Sequence, residues 1–377
     1  MATSTNYGWA EPDNSSLVKN GASDIRTLGN AIDASVWSVG FGQAGKNKII
    51  NGDFNINQRA FTTASTDGVY TYDRWVTSLG SSGGTCTFTP QTFTAGAAPV
   101  AGYESKNFYQ LVTASQSGAS DWAAIYQKIE DVRTFAGQTL TFSFWAKASS
   151  GTPNVGVTIG QQFGSGGSST VINSPAVKAI TTSWARYSFT VNVASISGKT
   201  IGANSHVQAY IFVSDGSTLT ALGYAATGLQ NNTFQIWGVQ VEYGSTATPF
   251  QTASGGSLQG ELAMCQRYYE KSYDIATAPA TNTTIGLYSI GGSSDGSGYQ
   301  RIPIKFAVAK RNASYSVAVY QAGGTSGSWA TIRLAGSSTG AVAAEYQSTN
   351  NMELYIQTSV VWLVTLGQGH WVVDNEL

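Results

Sequence analysis

Charge is what this chain has least of. Only 11% of its 377 residues are Asp, Glu, Lys or Arg, against roughly 25% in an average globular protein. Twenty basic residues face 21 acidic ones, a net charge of −1, so no electrostatic footprint for nucleic acid or anionic lipid is present. Cysteine and histidine are nearly absent. Cys86 and Cys265 cannot make a disulfide framework, and with two histidines they give no metal-ligand spacing; both are expected as buried free thiols. No stretch approaches the ~20 apolar residues of a membrane helix. Residues 1–21 are polar and lack the apolar core of a secretory signal. The reading at this point is no membrane insertion, no nucleic-acid partner and no leader.

What the chain does contain is glycine (43), tyrosine (19), tryptophan (10) and a 42% apolar fraction, with Ser, Thr, Asn and Gln supplying the polarity. Hydroxyls, amides and aromatics in this mixture suit β-rich folds with polar binding surfaces better than helical enzymes. The length allows two or three domains with proper cores.

Residues 1–22, with Tyr7, Trp9 and Pro12, show no periodicity. A helix is then expected, with Ser23 as N-cap, Asp24 near its positive end and one stripe of Ile25, Leu28, Ile32 and Val36. About thirteen residues including Gly29 are too few for an isolated helix. The stripe therefore needs a partner: either its own domain or two further copies of itself. Gly40 to Gly45 reads as a hinge.

From 46 to 250 short alternating segments between Gly/Ser/Thr turns predict an antiparallel jelly-roll sandwich of eight to ten strands. The clearest are Leu140–Ala146, Trp184–Val193 and Phe234–Glu242; others are Phe108–Val112, Ala123–Ile129, Val155–Ile159 and His206–Val213. Residues 251–270 read as a linker, Ser/Gly/Gln-rich at first, with a turn of helix leading into a strand. Residues 271–377 return to strand patterns at Thr284–Ile290, Tyr299–Phe306, Ser314–Tyr320, Thr331–Leu334, Met352–Thr358, Val360–Leu366 and Trp371–Val373, giving a smaller C-terminal β-sandwich. Pro303 marks an edge strand. The expected class is mainly β, with a short N-terminal helix.

The densest text is Lys46 to Arg59, closed by Tyr72-Asp73-Arg74-Trp75. Here Ile49-Ile50-Asn51-Gly52-Asp53-Phe54 with Gln58-Arg59 resembles bacteriophage tail-fibre and receptor-binding proteins, whose central domain is similar to the jelly-roll carbohydrate-binding modules of polysaccharide-degrading enzymes. The resemblance continues through Gln127–Glu130, Ala136–Lys147 and Val239–Phe250. It extends to the connector Glu261–Glu270 and the ending Asp374–Leu377. Asn6-Tyr7-Gly8-Trp9 and the helix around Leu28 look like a virion-anchoring segment. The resemblance implies a homotrimeric virion fibre, made in the host cytoplasm, that docks on tail or baseplate proteins through residues 1–45 (Tyr7, Trp9, Ile25, Leu28 and Ile32). It would meet host surface polysaccharide or another envelope receptor with its β-domains, residues 271–377 forming the tip. The alternatives are a purely structural fibre or decoration protein, and a polysaccharide depolymerase.

Asp53, Asp73, Arg59, Arg74 and Trp75 either meet a sugar, with Trp75 stacked on its CH face, or fasten the sandwich, and the fastening role fits their place at its opening strands. In the jelly-roll modules a structural Ca²⁺ often sits at the sandwich edge; Asp53, Glu130, Asp131 and Glu242 are the ligands available here, and no other cofactor is expected. Among the aromatics outside clean inward positions, Tyr103 and Trp122 are the chosen glycan contacts. Tyr320, Trp329 and Tyr346, with His370 nearby, are the C-terminal candidates. No nucleophile-elbow motif occurs, His206 and His370 are isolated, and acidic residues are few. No catalytic residue is assigned, and the chain is read as a non-enzyme.

Overall fold

A computed structural model describes residues 2–3, 9–11, 17, 20–39, 45–100, 103–175, 177–292, 299–333, 336–357 and 365–377. The protein is mainly β, with antiparallel pairing in every sheet. Among the described residues no helix is long and apolar enough to cross a membrane.

Near the start, β1 (Ala2–Thr3) pairs with β2 (Ala10–Glu11). Helix α1 spans Gly21–Val39. It begins two residues before the expected cap: the Ser23 hydroxyl donates to the carbonyl of Asn20 at 2.7 Å instead of accepting from the helix. Ile25 is 65% and Ile32 37% exposed, and Leu28 is half-buried. Val36 has no described side chain, and Tyr7, most of the expected hinge and most of the expected strand 360–366 lie outside the described residues.

The central sandwich comprises β3 (Trp75–Gly80), β4 (Thr85–Thr92), β5 (Asn107–Ala114), β6 (Trp122–Glu130), β7 (Thr139–Ala148), β8 (Asn154–Gln162), β9 (Val171–Asn173), β10 (Lys178–Ala179), β11 (Ala185–Asn192), β12 (His206–Asp215) and β13 (Thr233–Tyr243). One sheet has the order β10-β8-β12-β6-β3, with β9 beside β8; the other is β11-β7-β13-β5-β4. Period-two alternation supplies the core. Val207, Ala209, Ile211 and Val213 of β12 meet Leu140, Phe142, Phe144 and Ala146 of β7 in one buried cluster. Thr141 and Ser143, which alternate with these inward residues, are buried as well. The Thr141 hydroxyl donates to the carbonyl of Gly244, and Ser143 accepts from Arg186, because the chain crosses that outer face.

Strand β13 is bulged between Trp237 and Gln240, with Gly238 at φ +64°. Its pairing with β5 stops at Ile236. Beyond that point the segment 47–52 takes over. The Asn47 amide donates to the carbonyls of Val239 (2.9 Å) and Gln251 (3.0 Å), while its oxygen accepts from the amides of Ile49 (2.9 Å) and Val241 (3.0 Å). A bulge leaves ladder groups unpaired, and a single buried amide side chain answers them.

The first part of the expected linker 251–270 is packed, with Thr252 and Ala253 buried, and leads into α3 (Leu258–Gln266), capped by the Ser257 hydroxyl. A single turn, α2 (Ser217–Ala221), precedes it in the sandwich. The C-terminal part holds β14 (Tyr269–Lys271), β15 (Tyr288–Gly292), β16 (Tyr299–Lys305), β17 (Ser316–Tyr320), β18 (Ser328–Arg333), β19 (Gly336–Glu345), β20 (Asn351–Gln357) and β21 (Thr365–Asp374). These eight strands are continuous through β21. Its first half pairs with β15 and β18, its second half with β14 and β17. Around it lies a separate core of Ile302, Ile304, Trp329, Leu354, Ile356, Trp371 and Val373. Strand β16, with Pro303, ends the sheet order, as a proline strand should.

The Arg59–Trp75 region joins these parts. Arg59 pairs with Asp374 (3.1 Å) and Glu376 (3.4 Å), its guanidinium 3.9 Å from the Tyr269 ring. Arg74 pairs with Glu376, donates to the carbonyl of Lys128 and lies over Tyr268 at 3.3 Å. The buried Asp73 carboxylate takes the Gln58 backbone and side-chain amides, and Gln58 also donates to the carbonyl of Tyr269. Burial raises the pKa of Asp73, opposed by Arg59, Gln58 and Lys271. Trp75 is in the core, its Nε1 donating to the carbonyl of Asn51. These residues fasten the fold.

Candidate functional site

Gly52 sets the geometry of the site. A Cβ there would lie 2.2 Å from the carbonyl oxygen of Val239, so only glycine lets the segment press against β13 before turning outward. Phe54 then enters the core against Tyr72, Trp75 and Tyr109. Its neighbours Asp53 and Asn55 take the other side, a cleft of about 320 Å³ shared with Tyr103, Lys106, Ser257 and Glu261. A second cleft, of about 410 Å³, shares Asn55 and Lys106 with the first and adds Asn57, Asn107 and Ile275. The groove thus runs along the sandwich rim, past the N-terminus of α3, to the start of the C-terminal part.

Asp53 is the unusual group. It is 4% exposed. Its Oδ2 accepts from the Asn55 amide at 2.6 Å and from the Tyr103 hydroxyl at 3.4 Å. Its Oδ1 has no hydrogen-bond partner. Burial, followed by the nearby Glu261 charge, pushes the carboxyl up to about 6. Tyr103 is half-buried, its ring 5.5 Å from both Trp237 and Phe250. Burial raises its phenol too, with Asp53 adding to the effect. The Asn107 amide donates to Asn55 at 3.2 Å, so a chain of side-chain hydrogen bonds runs along the groove floor.

The groove is lined by an aromatic ring, a carboxylate, amides and the ammonium of Lys106, groups that can meet the CH face and hydroxyls of a sugar ring. Its carboxyls are a poor pair for glycoside hydrolysis, which needs two accessible carboxyls flanking the bond. Glu261 is 1% exposed, and its two oxygens take the backbone amides of Asn51 and Ser254.

The groove unites two residues chosen for different reasons, Tyr103 for glycan and Asp53 for calcium. The other expected calcium ligands do not gather there. Glu130 is held by Arg267 in a two-pronged pair at 2.9 Å, and Asp131 by Arg133. Glu242 is buried with Gln240, Thr248 and Lys46. Each carboxylate has its own cationic or amide partner. Among the described residues no group of three or more His, Cys, Asp or Glu is placed to hold a metal.

The remaining candidates scatter. Trp122 lies half-buried on the outer face of the six-stranded sheet, flat over Gly80, with Nε1 donating to Ser78. Trp329 is fully buried beneath Gly369, its Nε1 donating to the carbonyl of His370; a ring in the core has no face to offer a ligand, which corrects its assignment. Tyr320 packs in a small cluster with Tyr269, Tyr273 and Val372. Tyr346 is 69% exposed. His370 is buried against Ser272 and the carbonyl of Thr283, and among the described residues no carboxylate is bonded to it. Cys86 and Cys265 are free and buried. Lys106 and Ser257 were not legible as groove residues, although the polar run Glu104-Ser105-Lys106-Asn107 before β5 was a signal.

No protein-family model matches the chain, and no curated protein shows significant similarity to it. Solved structures that align with part of the chain include a CBM4 structure (TM-score 0.29, 15% identity, 52% of this chain and 98% of that one). Another is a xylan-binding domain from CBM 22 (0.29, 13%, 49% and 96%). A third is the enzymatically active domain of tailspike protein 4 of bacteriophage CBA120 (0.29, 14%, 52% of this chain but 21% of that one). Likeness at this level assigns neither ligand nor role.

Proposed function

We propose that the protein is a non-catalytic glycan-binding protein of the virion-fibre kind, which attaches to host surface polysaccharide through the groove between Asp53 and Lys106. The observation that carries this reading is the unpartnered Oδ1 of buried Asp53 beside half-buried Tyr103 in an amide-lined cleft. A buried polar atom without a partner is destabilising, and a sugar hydroxyl could supply the missing donor once a side chain lining the cleft moves aside on binding. The stripe of α1, with Ile25 and Ile32 exposed, supports assembly into a trimer on tail or baseplate proteins. Three weak sites on one fibre would multiply into useful avidity.

The test is a glycan array followed by calorimetry on the intact chain. Tyr103→Ala and Asp53→Asn are each expected to weaken the best glycan by about tenfold, the scale of one lost aromatic or hydrogen-bonded contact. Undiminished binding by both variants would remove the groove from consideration. A second reading, a spacer that only packs, is favoured by the ion pairs that lock the C-terminal part to the sandwich; failure of the wild-type chain to bind any glycan would support it.

A further inference from the structure

We infer, on the reading of the groove as a glycan site, that it takes a run of sugar units rather than a single one. The C-terminal part supplies its second subsite, and Lys271 holds that subsite in place.

The two clefts of the groove, about 320 and 410 Å³, each fall within the ~300–1,000 Å³ range of small-ligand pockets. Asn55 and Lys106 line both, so a chain seated against Tyr103 in the first leads past them into the second. A single sugar unit in one cleft leaves the other unused.

The second cleft has the composition of a subsite of its own. Its apolar surface comes from Phe61, Pro90 and Ile275, and its amides from Asn55, Asn57 and Asn107. Those amides are held before any ligand arrives. Asn57 accepts from the Phe61 backbone amide at 2.8 Å and donates to its carbonyl at 3.0 Å. Asn107 donates to Asn55 at 3.2 Å, and Asn55 to Asp53 at 2.6 Å. A side-chain amide has two N–H donors and an oxygen with two lone pairs, so each keeps hydrogen-bonding capacity for a sugar hydroxyl. An apolar surface edged by amides suits a pyranose, whose CH face is edged by hydroxyls.

Ile275 is the contribution from across the junction. It is 44% exposed, on the loop that follows β14. Lys271, buried at the end of β14, ties this loop to the strand: its ammonium donates to the carbonyl of Ile275 at 3.0 Å and to that of Thr277. The Thr277 amide closes a turn onto the carbonyl of Asp274 at 3.0 Å. A loop already fixed in shape costs less to order on binding. Lys271 lines neither cleft and acts through Ile275, as a positioning residue.

The intact chain would be titrated by calorimetry with xylo-, cello- and chito-oligosaccharides, from one sugar unit to about six, and with the best array glycan cut to the same lengths. Affinity is expected to rise about tenfold or more from the shortest to the longest member bound, and to level off once both clefts are filled. Ile275→Asp should flatten that rise. Lys271→Met should flatten it too, without altering a groove-lining side chain, and Lys271→Arg should restore part of it. Tyr103→Ala should weaken every length alike. Binding that ignores length, or a wild-type rise in Ile275→Asp, would overturn the second subsite. Lys271→Met weakening every length alike, or leaving the rise intact, would overturn its positioning role. No binding at any length would remove the glycan reading of the groove itself, and the subsite with it, a result separable from binding that ignores length.

Discussion

Arg74 and Glu376, 302 positions apart in sequence, form an ion pair in which neither side chain is more than 4% exposed. It closes the molecule. The residues that open the central sandwich hold the residues that follow the last strand.

Breaking that pair from one side leaves a buried charge without its counterpart. Glu376→Ala is expected to destabilise the protein by about 3–5 kcal/mol, read as a shift in the urea midpoint. Replacing both partners, as in Arg74→Met with Glu376→Leu, should recover much of the loss. A single variant that unfolds like the wild type would show that the pair contributes nothing.

Asn47 answers four backbone groups at the β13 bulge and along the neighbouring chain. Asn47→Ala leaves these groups buried and unpaired, each at a cost of about 1–3 kcal/mol before relaxation. Several kcal/mol of destabilisation is the expected outcome in chemical unfolding, and Asn47→Asp, which keeps the acceptor and loses the donors, should fall between.

Gly52→Ala places a methyl 2.2 Å from the carbonyl of Val239. The opposing atom is backbone, so the strand must move. Destabilisation by roughly 1–3 kcal/mol is expected, together with weaker glycan binding, since the same shift displaces Asp53. Unchanged stability and affinity would show that the segment has room.

The raised pKa of Asp53 sets a pH dependence. Its folded value, about 6, exceeds the ordinary 3.8, so between these two pH values the folded state binds more protons than the unfolded chain. Stability from this group therefore falls as pH rises from about 4 to 6 and stays low above that, by roughly 3 kcal/mol at most. Asp53→Asn should flatten this slope and be more stable than the wild type at pH 8. Parallel stability–pH curves for the two proteins would contradict the assignment.

The α1 stripe gives a fifth expectation. On the proposed trimer, the wild-type chain should scatter light as three chains and Ile25→Asp with Ile32→Asp as one. Unfolding of the sandwich should not change.

The mainly β class was legible because alternation in β7, β11 and β13 is clean and their inward residues are large. Strand β19 escaped notice, since its sequence, Gly336–Glu345, is all small residues until its end and signals neither face. Strand β4 was obscured by Pro90 and by an inward set of only Cys86 and Phe88. Tyr103 was legible as an odd aromatic, but its meeting with Asp53 depends on where β5 docks beside the 53–57 segment, 50 positions away. Trp329 carries no sequence signal of its burial, because the glycine that makes room for its ring, Gly369, lies 40 positions away.

The double pairing of β21 has a consequence for synthesis. The four strands that flank it emerge earlier from the ribosome, and none can complete its ladder until residues 365–374 arrive. The central sandwich can close by residue 250, while the C-terminal part must wait with open strand edges, the state most prone to pairing with a neighbouring chain. A chain cut short before β21 would therefore keep a folded sandwich and carry a sticky, unfinished end, whereas arrival of the last strand seals those edges and brings Glu376 to Arg74.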